Sequence, residues 1–210
     1  MINPPDYTLR APQTGKMASA NPDAPKGEPT LLVSTTSNYV WIYSDKGSGA
    51  HMDVTIYKPN PTDSSWMILG HYAQGNYSSP TGNSVIVKAI NDDPGSPLLK
   101  NPTDFNEVWN DHGSGGDNDG SIWYPVPPDG YRSLGFVCQG GYNKPSISNY
   151  ACVRKDMTAE TPVGAQIWND SGSGAHMDVT VFQVTAVSGI FVAQGNYDPF
   201  SGTCFKLAGT

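Results

Sequence analysis

Asp111-His112-Gly113-Ser114-Gly115-Gly116-Asp117-Asn118-Asp119 is one of three copies of a nine-residue pattern in this chain. The others are Asp45-Lys46-Gly47-Ser48-Gly49-Ala50-His51-Met52-Asp53 and Asp170-Ser171-Gly172-Ser173-Gly174-Ala175-His176-Met177-Asp178. All three read D-x-G-S-G-x-x-x-D, with no insertion or deletion. Tyr43, Trp109 and Trp168 stand two positions before the first Asp, and Tyr57, Trp123 and Phe182 four positions after the last. Repetition within one chain signals like structural units that bury their apolar faces against one another.

The likeness extends outward from the loop. Runs of β-branched and aromatic residues lead into it at 39–43, 105–110 and 166–168, and out of it at 54–57, 121–124 and 179–182. Such residues suit a pleated, half-buried surface, and Pro59 and Pro125 stop two of these runs. Third runs follow at 66–74, 131–139 and 190–194. Their ends share Gln74-Gly75, Gln139-Gly140 and Gln194-Gly195, with Tyr77, Tyr142 and Tyr197 three positions after each Gln. Fourth runs at 84–89, 150–154 and 204–207 each carry one base, Lys88, Arg154 and Lys206.

This grammar predicts an all-β fold. A lone four-stranded sheet has no second layer over its apolar face. Three such antiparallel sheets, packed about a pseudo-threefold axis, cover one another as a β-prism. The units are expected at about 31–100, 101–160 and 161–210, forming one domain over 31–210. Residues 1–30, rich in Pro, Ala, Asn and Gly without periodicity, are expected to be an extended or disordered arm.

Composition agrees and narrows the function. Only 15% of the 210 residues are charged, 10% are aromatic, and Gly 23 with Pro 18 supply many turns. The net charge of −7 lacks the basic footprint of a nucleic-acid binder and the Lys/Arg clusters that dock on anionic lipid. No apolar run is long enough to cross a bilayer. Met1-Ile2-Asn3-Pro4-Pro5 has no signal-peptide core, so a cytoplasmic or non-classically secreted protein is expected. Cys138, Cys152 and Cys204 are too few for a disulfide framework and lack zinc spacing. They are expected as reduced, buried thiols; a Cys138–Cys152 bridge is the alternative.

Several segments resemble the vacuolar protein sorting-associated protein 62 family. They are Trp109-Asn110-Asp111-His112-Gly113-Ser114-Gly115, Ser121-Ile122-Trp123-Tyr124-Pro125-Val126-Pro127-Pro128, Gly130-Tyr131-Arg132-Ser133-Leu134-Gly135 and Cys152-Val153-Arg154-Lys155-Asp156. The same repeat is similar to β-prism modules of membrane-attack-complex/perforin pore formers and to β-prisms that dock on membranes. The resemblance implies surface targeting, in trafficking or as part of a toxin system, and no catalysis.

Three roles compete for the repeated loop. As a turn, Asp accepts backbone N–H bonds and Gly supplies φ > 0. As a cation site, carboxylates flanking a Gly loop offer the oxygen ligands that suit Ca²⁺ or Mg²⁺; Asp111, Asp117 and Asp119 are the candidate set, with Ca²⁺ as the ion and no cofactor required. As a glycan site, Gly49 with Asp53, Gly115 with Asp119 and Gly174 with Asp178 are similar to the sugar-contacting motif of jacalin-like lectins. Asp45, Asp111 and Asp170 would complete the polar set, and Trp109, Trp168 and Tyr43 could cover a sugar ring. His51, His112 and His176 are expected as loop residues. No nucleophile elbow, H-E-x-x-H or phosphate loop is present. The expected function is non-enzymatic, lectin-like recognition of glycans or glycosylated surfaces. Calcium-assisted membrane docking or a structural scaffold are the alternatives; the oligomeric state stays open.

Overall fold

A computed structural model describes residues 27–210, so the expected arm over residues 1–30 lies mostly outside the described residues. The first unit holds β1 (Thr30–Thr36), β2 (Tyr39–Ser44), β3 (Thr55–Pro59), β4 (Met67–Ile68), β5 (Tyr72–Gln74) and β6 (Ser84–Ile90). The second repeats the order with β7 (Leu99–Lys100), β8 (Asp104–Asn110), β9 (Gly120–Val126), β10 (Tyr131–Arg132), β11 (Val137–Gly140) and β12 (Cys152–Arg154). The third holds β13 (Thr158–Thr161), β14 (Val163–Asn169), β15 (Thr180–Val184), β16 (Phe191–Gln194) and β17 (Cys204–Leu207). A single 3-10 turn at Lys155–Met157 is the only helical element among the described residues, so the all-β expectation holds.

The strands form six small antiparallel sheets, not the expected three of four strands. The strands flanking each repeated loop, with the strand that leads into the Gln-Gly pair, give β2-β3-β5, β8-β9-β11 and β14-β15-β16. The fourth strand of each unit leaves for a separate sheet: β1-β6-β4, β7-β12-β10 and β13-β17. The split follows from the third strand, which the sequence reads as continuous and which breaks at Gly70 and Gly135. A Cβ on Gly70 would stand 3.0 Å from Gly135 Cα and 3.1 Å from Ile190 Cβ, so three units converge there. The backbone bonds of this point go to neighbouring units: His71 N–H donates to Phe136 O at 2.9 Å, and Phe136 N–H to Phe191 O at 2.8 Å. Backbone groups committed across units cannot extend their own sheet.

One irregularity recurs in the strand before each loop. The register of β2, β8 and β14 slips between Trp41 and Tyr43, Glu107 and Trp109, and Gln166 and Trp168. An extra residue of this kind turns the next side chain to the other face. Tyr43, Trp109 and Trp168 thereby enter the core, at 1%, 1% and 0% exposure. Trp109 packs edge-on to Tyr43 at 5.9 Å and to Trp168 at 5.5 Å, with Ile56, Ile122 and Val181 around them. At about 25 cal/mol per Å², burying an aromatic of roughly 150–250 Å² contributes roughly 4–6 kcal/mol of gross stabilisation each. A second cluster gathers Leu31, Leu69, Val87, Leu98 and Leu134 from the first two units. The three cysteines are free and buried, so the Cys138–Cys152 bridge is not formed. Burial pushes the Cys152 thiol up to about 11.

Candidate functional site

Each repeated loop begins with a tight turn. The N–H groups of Ser48, Ser114 and Ser173 donate to the carbonyls of Asp45, Asp111 and Asp170 at 3.0, 2.9 and 2.9 Å. Gly47, Gly113 and Gly172 stand third in these turns with φ of +85°, +92° and +92°, the left-handed geometry that favours glycine. The serine hydroxyls then accept the N–H groups of Ala50, Gly116 and Ala175 at 3.2, 3.2 and 3.1 Å.

The three loops close on one another as a ring. His51 N–H donates to Ser171 O at 2.9 Å, His176 N–H to His112 O at 2.8 Å, and Asp117 N–H to Lys46 O at 2.8 Å. The first loop thus holds the third, the third the second, and the second the first. The middle copy's Asp117 fills the place of the two histidines because the backbone makes the bond. The same sense recurs nearby: Gly75 lies against Ile167 O, Gly140 against Ile42 O and Gly195 against Val108 O. The glycine of each Gln-Gly pair therefore admits the bulged strand of a neighbouring unit.

The first aspartate of each copy belongs to this framework. Asp45, Asp111 and Asp170 are 2%, 3% and 1% exposed. Their Oδ1 atoms accept the N–H groups of Val54, Gly120 and Val179 at 2.8, 3.1 and 2.9 Å. Asp45 Oδ2 accepts Trp168 Nε1–H and Asp170 Oδ2 accepts Trp109 Nε1–H, both at 2.9 Å. The third pairing departs from the rule: Tyr43 faces Asp111 and has no such N–H. Its ring rests where a side chain at 120 would stand, 2.3 Å from a Cβ there, so Gly120 replaces the valine of the other copies. Burial raises the Asp45 and Asp170 carboxyls, and the N–H and phenol donors pull them back.

The last aspartate of each copy faces solvent, and a tyrosine joins the two. Tyr77 O–H donates to Asp45 Oδ1 at 3.0 Å and Tyr197 O–H to Asp170 Oδ1 at 2.9 Å. Asp53 and Asp178 lie on the same hydroxyls, and Tyr142 stands likewise between Asp111 and Asp119. Burial, then the carboxylates, push all three phenols well above their ordinary value. Thr55 Oγ1, Ser121 Oγ and Thr180 Oγ1 hold each tyrosine's loop by donating to Asn76 O, Gly141 O and Asn196 O at 2.8, 2.6 and 2.7 Å.

The site foreseen from sequence is thus divided. Asp53, Asp119, Asp178, Gly49, Gly115 and Gly174 are exposed. Asp45, Asp111 and Asp170 are buried and bonded within the protein, and Trp109 and Trp168 are core residues without a face for a sugar. Among the described residues no three or more His, Cys, Asp or Glu side chains are grouped to hold a metal ion. The candidate set of Asp111, Asp117 and Asp119 is therefore not gathered: Asp111 is buried, Asp117 lies against Gly47 of the first loop, and Asp119 is exposed. Sequence reading missed Tyr77, Tyr142 and Tyr197 as site residues. Their constant place after Gln-Gly was the available signal.

Among the described residues no helix is long and apolar enough to cross a membrane. No curated protein sequence matches the chain. The crystal structure of GNIP1Aa from Chromobacterium piscinae is similar, with a TM-score of 0.70 and 33% identity, over 82% of this chain and 34% of that one. This chain therefore spans about a third of the length of GNIP1Aa. The family model for vacuolar protein sorting-associated protein 62, Vps62, matches residues 8–198. With the match running over most of its length, the chain belongs to the vacuolar protein sorting-associated protein 62 family.

Proposed function

We propose that this chain is a non-enzymatic recognition module, closed as a β-prism about a pseudo-threefold axis, that binds glycans or glycosylated surfaces at three like corners. The observation that carries this reading is the corner itself. In each, a phenol stands near a buried aspartate and an exposed one: Tyr77 near Asp45 and Asp53, Tyr142 near Asp111 and Asp119, Tyr197 near Asp170 and Asp178, with hydrogen bonds to Asp45 and Asp170 in the first and third. An exposed carboxylate accepts hydroxyl donors, and a fixed aromatic ring covers the apolar face of a sugar. Three weak sites on one rigid body gain by avidity on a multivalent surface. Catalysis needs one site, whereas triplication serves attachment. The likeness to a third of GNIP1Aa is in keeping with a module that serves within larger proteins. Targeting to membranes is the second reading, favoured by Val40 and Trp41 on β2, each 47% exposed.

A glycan array, repeated with EDTA, tests the proposal. Binding is expected without metal and is expected to vanish when Asp53, Asp119 and Asp178 are all changed to Ala. Each of those single changes is expected to move stability by about 0.5 kcal/mol or less, as for surface sites. Asp45→Ala strands the Val54 N–H and removes one of two acceptors from the Trp168 Nε1–H, which keeps Met52 O at 3.1 Å, and is expected to cost about 1–3 kcal/mol. Glycan binding that survives the triple change would overturn the reading. So would binding only to phosphatidylcholine vesicles, lost in Trp41→Ser.

A further inference from the structure

The three corners are not equally open. Tyr77 and Tyr197 are 44% and 46% exposed, and with Val40 and Trp41 they make up the exposed large hydrophobic residues among those described. Tyr142 is only partly exposed. The His112 ring lies on it, with centroids 3.8 Å apart and planes 23° apart. His112 is the second residue of its loop, where the other copies carry Lys46 and Ser171. Its backbone carbonyl is tied to His176 N–H at 2.8 Å, which fixes the point from which the side chain reaches the phenol.

We infer that the first and third corners are the competent sites and that His112 keeps the middle one shut. A flat ring already occupies the face of Tyr142, at the spacing a ligand ring would take. Tyr77 and Tyr197 carry no such ring and stand exposed beside an exposed carboxylate, Asp53 or Asp178. The ligand class follows from this pair. A carboxylate accepts two adjacent hydroxyls at once, and the ring takes the C–H face next to them, so a pyranoside with a vicinal diol fits. The geometry makes the module bivalent with a closed third site, and this rests on the recognition reading of the corners given above.

The test is a backbone-amide NMR titration of the whole chain with methyl α-mannopyranoside, methyl β-glucopyranoside and methyl β-galactopyranoside. Saturable shifts are expected around Tyr77 and Tyr197 but not around Tyr142 in the unaltered protein. His112→Ser, which installs the third copy's residue and keeps the carbonyl bond, is expected to add shifts at Tyr142. The affinity there should rise by about two- to tenfold, the scale of a regained aromatic face. Shifts at all three corners of the unaltered protein would overturn the inference and leave the recognition reading standing. The same holds if His112→Ser opens nothing while the other two corners respond. No shift at any corner with any of the three sugars would overturn the recognition reading itself, and this inference with it.

Discussion

His71 occupies the place that Phe136 and Phe191 hold in the other units, at the point where all three meet. It is 1% exposed, and its Nδ1 accepts the Cys138 N–H at 3.1 Å, so the ring is the neutral tautomer with the proton on Nε2. Among the described residues Nε2 has no hydrogen-bond partner. Burial, with Lys58 nearby, lowers its pKa from 6.5 to about 3. The native state therefore refuses a proton that the unfolded chain accepts. A depressed histidine stabilises fully above pH 6.5, and that contribution is lost as pH falls toward 3. At pH 5 the loss is about 2 kcal/mol. His71→Phe, which copies the other two units, is expected to remove that part of the acid sensitivity. Urea unfolding at pH 7 and pH 5 measures it, and an unchanged pH 7-to-5 difference in the variant would refute the assignment. The sequence made the motif aspartates legible but not their division into buried and exposed. That division depends on Trp168 and Trp109, which reach Asp45 and Asp170 from 123 and 61 residues away. No local pattern carries such a contact.

The loop element shows which glycines the ring requires. Gly113 and Gly115 both have positive φ, +92° and +66°. A Cβ on Gly113 would stand 2.7 Å from the His176 ring, whereas one on Gly115 meets nothing within 4 Å. Gly115→Ala is thus expected to cost only the backbone strain, about 1 kcal/mol. Gly113→Ala adds a displaced His176 and a weakened ring bond, and is expected to cost about 2–4 kcal/mol. Thermal or urea melts of the two variants decide it, and equal costs would show that ring closure adds nothing. Strands beside the loops were legible because alternation and β-branched residues are local. The breaks at Gly70 and Gly135 were not, because a glycine inside an apolar run looks the same whether its neighbours are its own sheet or two other units. Once the three units converge there, the close approach of Gly70, Gly135 and Ile190 decides, and the third strands of the first two units each divide between two sheets.

At the scale of the whole molecule, two architectures explain a threefold repeat, and they differ in how stability is distributed. In an open stack each unit touches only its sequence neighbours, so removing a terminal unit subtracts its share and the rest stays folded. Here the first unit also holds the third directly. His51 N–H bonds Ser171 O, Trp168 Nε1–H bonds Asp45, Val85 N–H bonds Ser188 O at 3.0 Å, and Ser84 Oγ–H bonds Gly189 O at 2.8 Å. Each unit therefore has two faces buried by the others, and no unit is terminal. Removal of residues 158–210 would expose Tyr43 and Trp109 in the core cluster and leave Asp45 buried without its indole donor. Losses of that kind exceed the roughly 5–15 kcal/mol by which a domain is stable. The chain ending at Met157 is accordingly expected to show no cooperative unfolding transition and poor amide dispersion, whereas the intact chain unfolds in one step. A truncated chain that melts cooperatively at a reduced midpoint would identify an open array, and the ring of backbone bonds would then be an ornament of the loops and not the closure that holds the three units together.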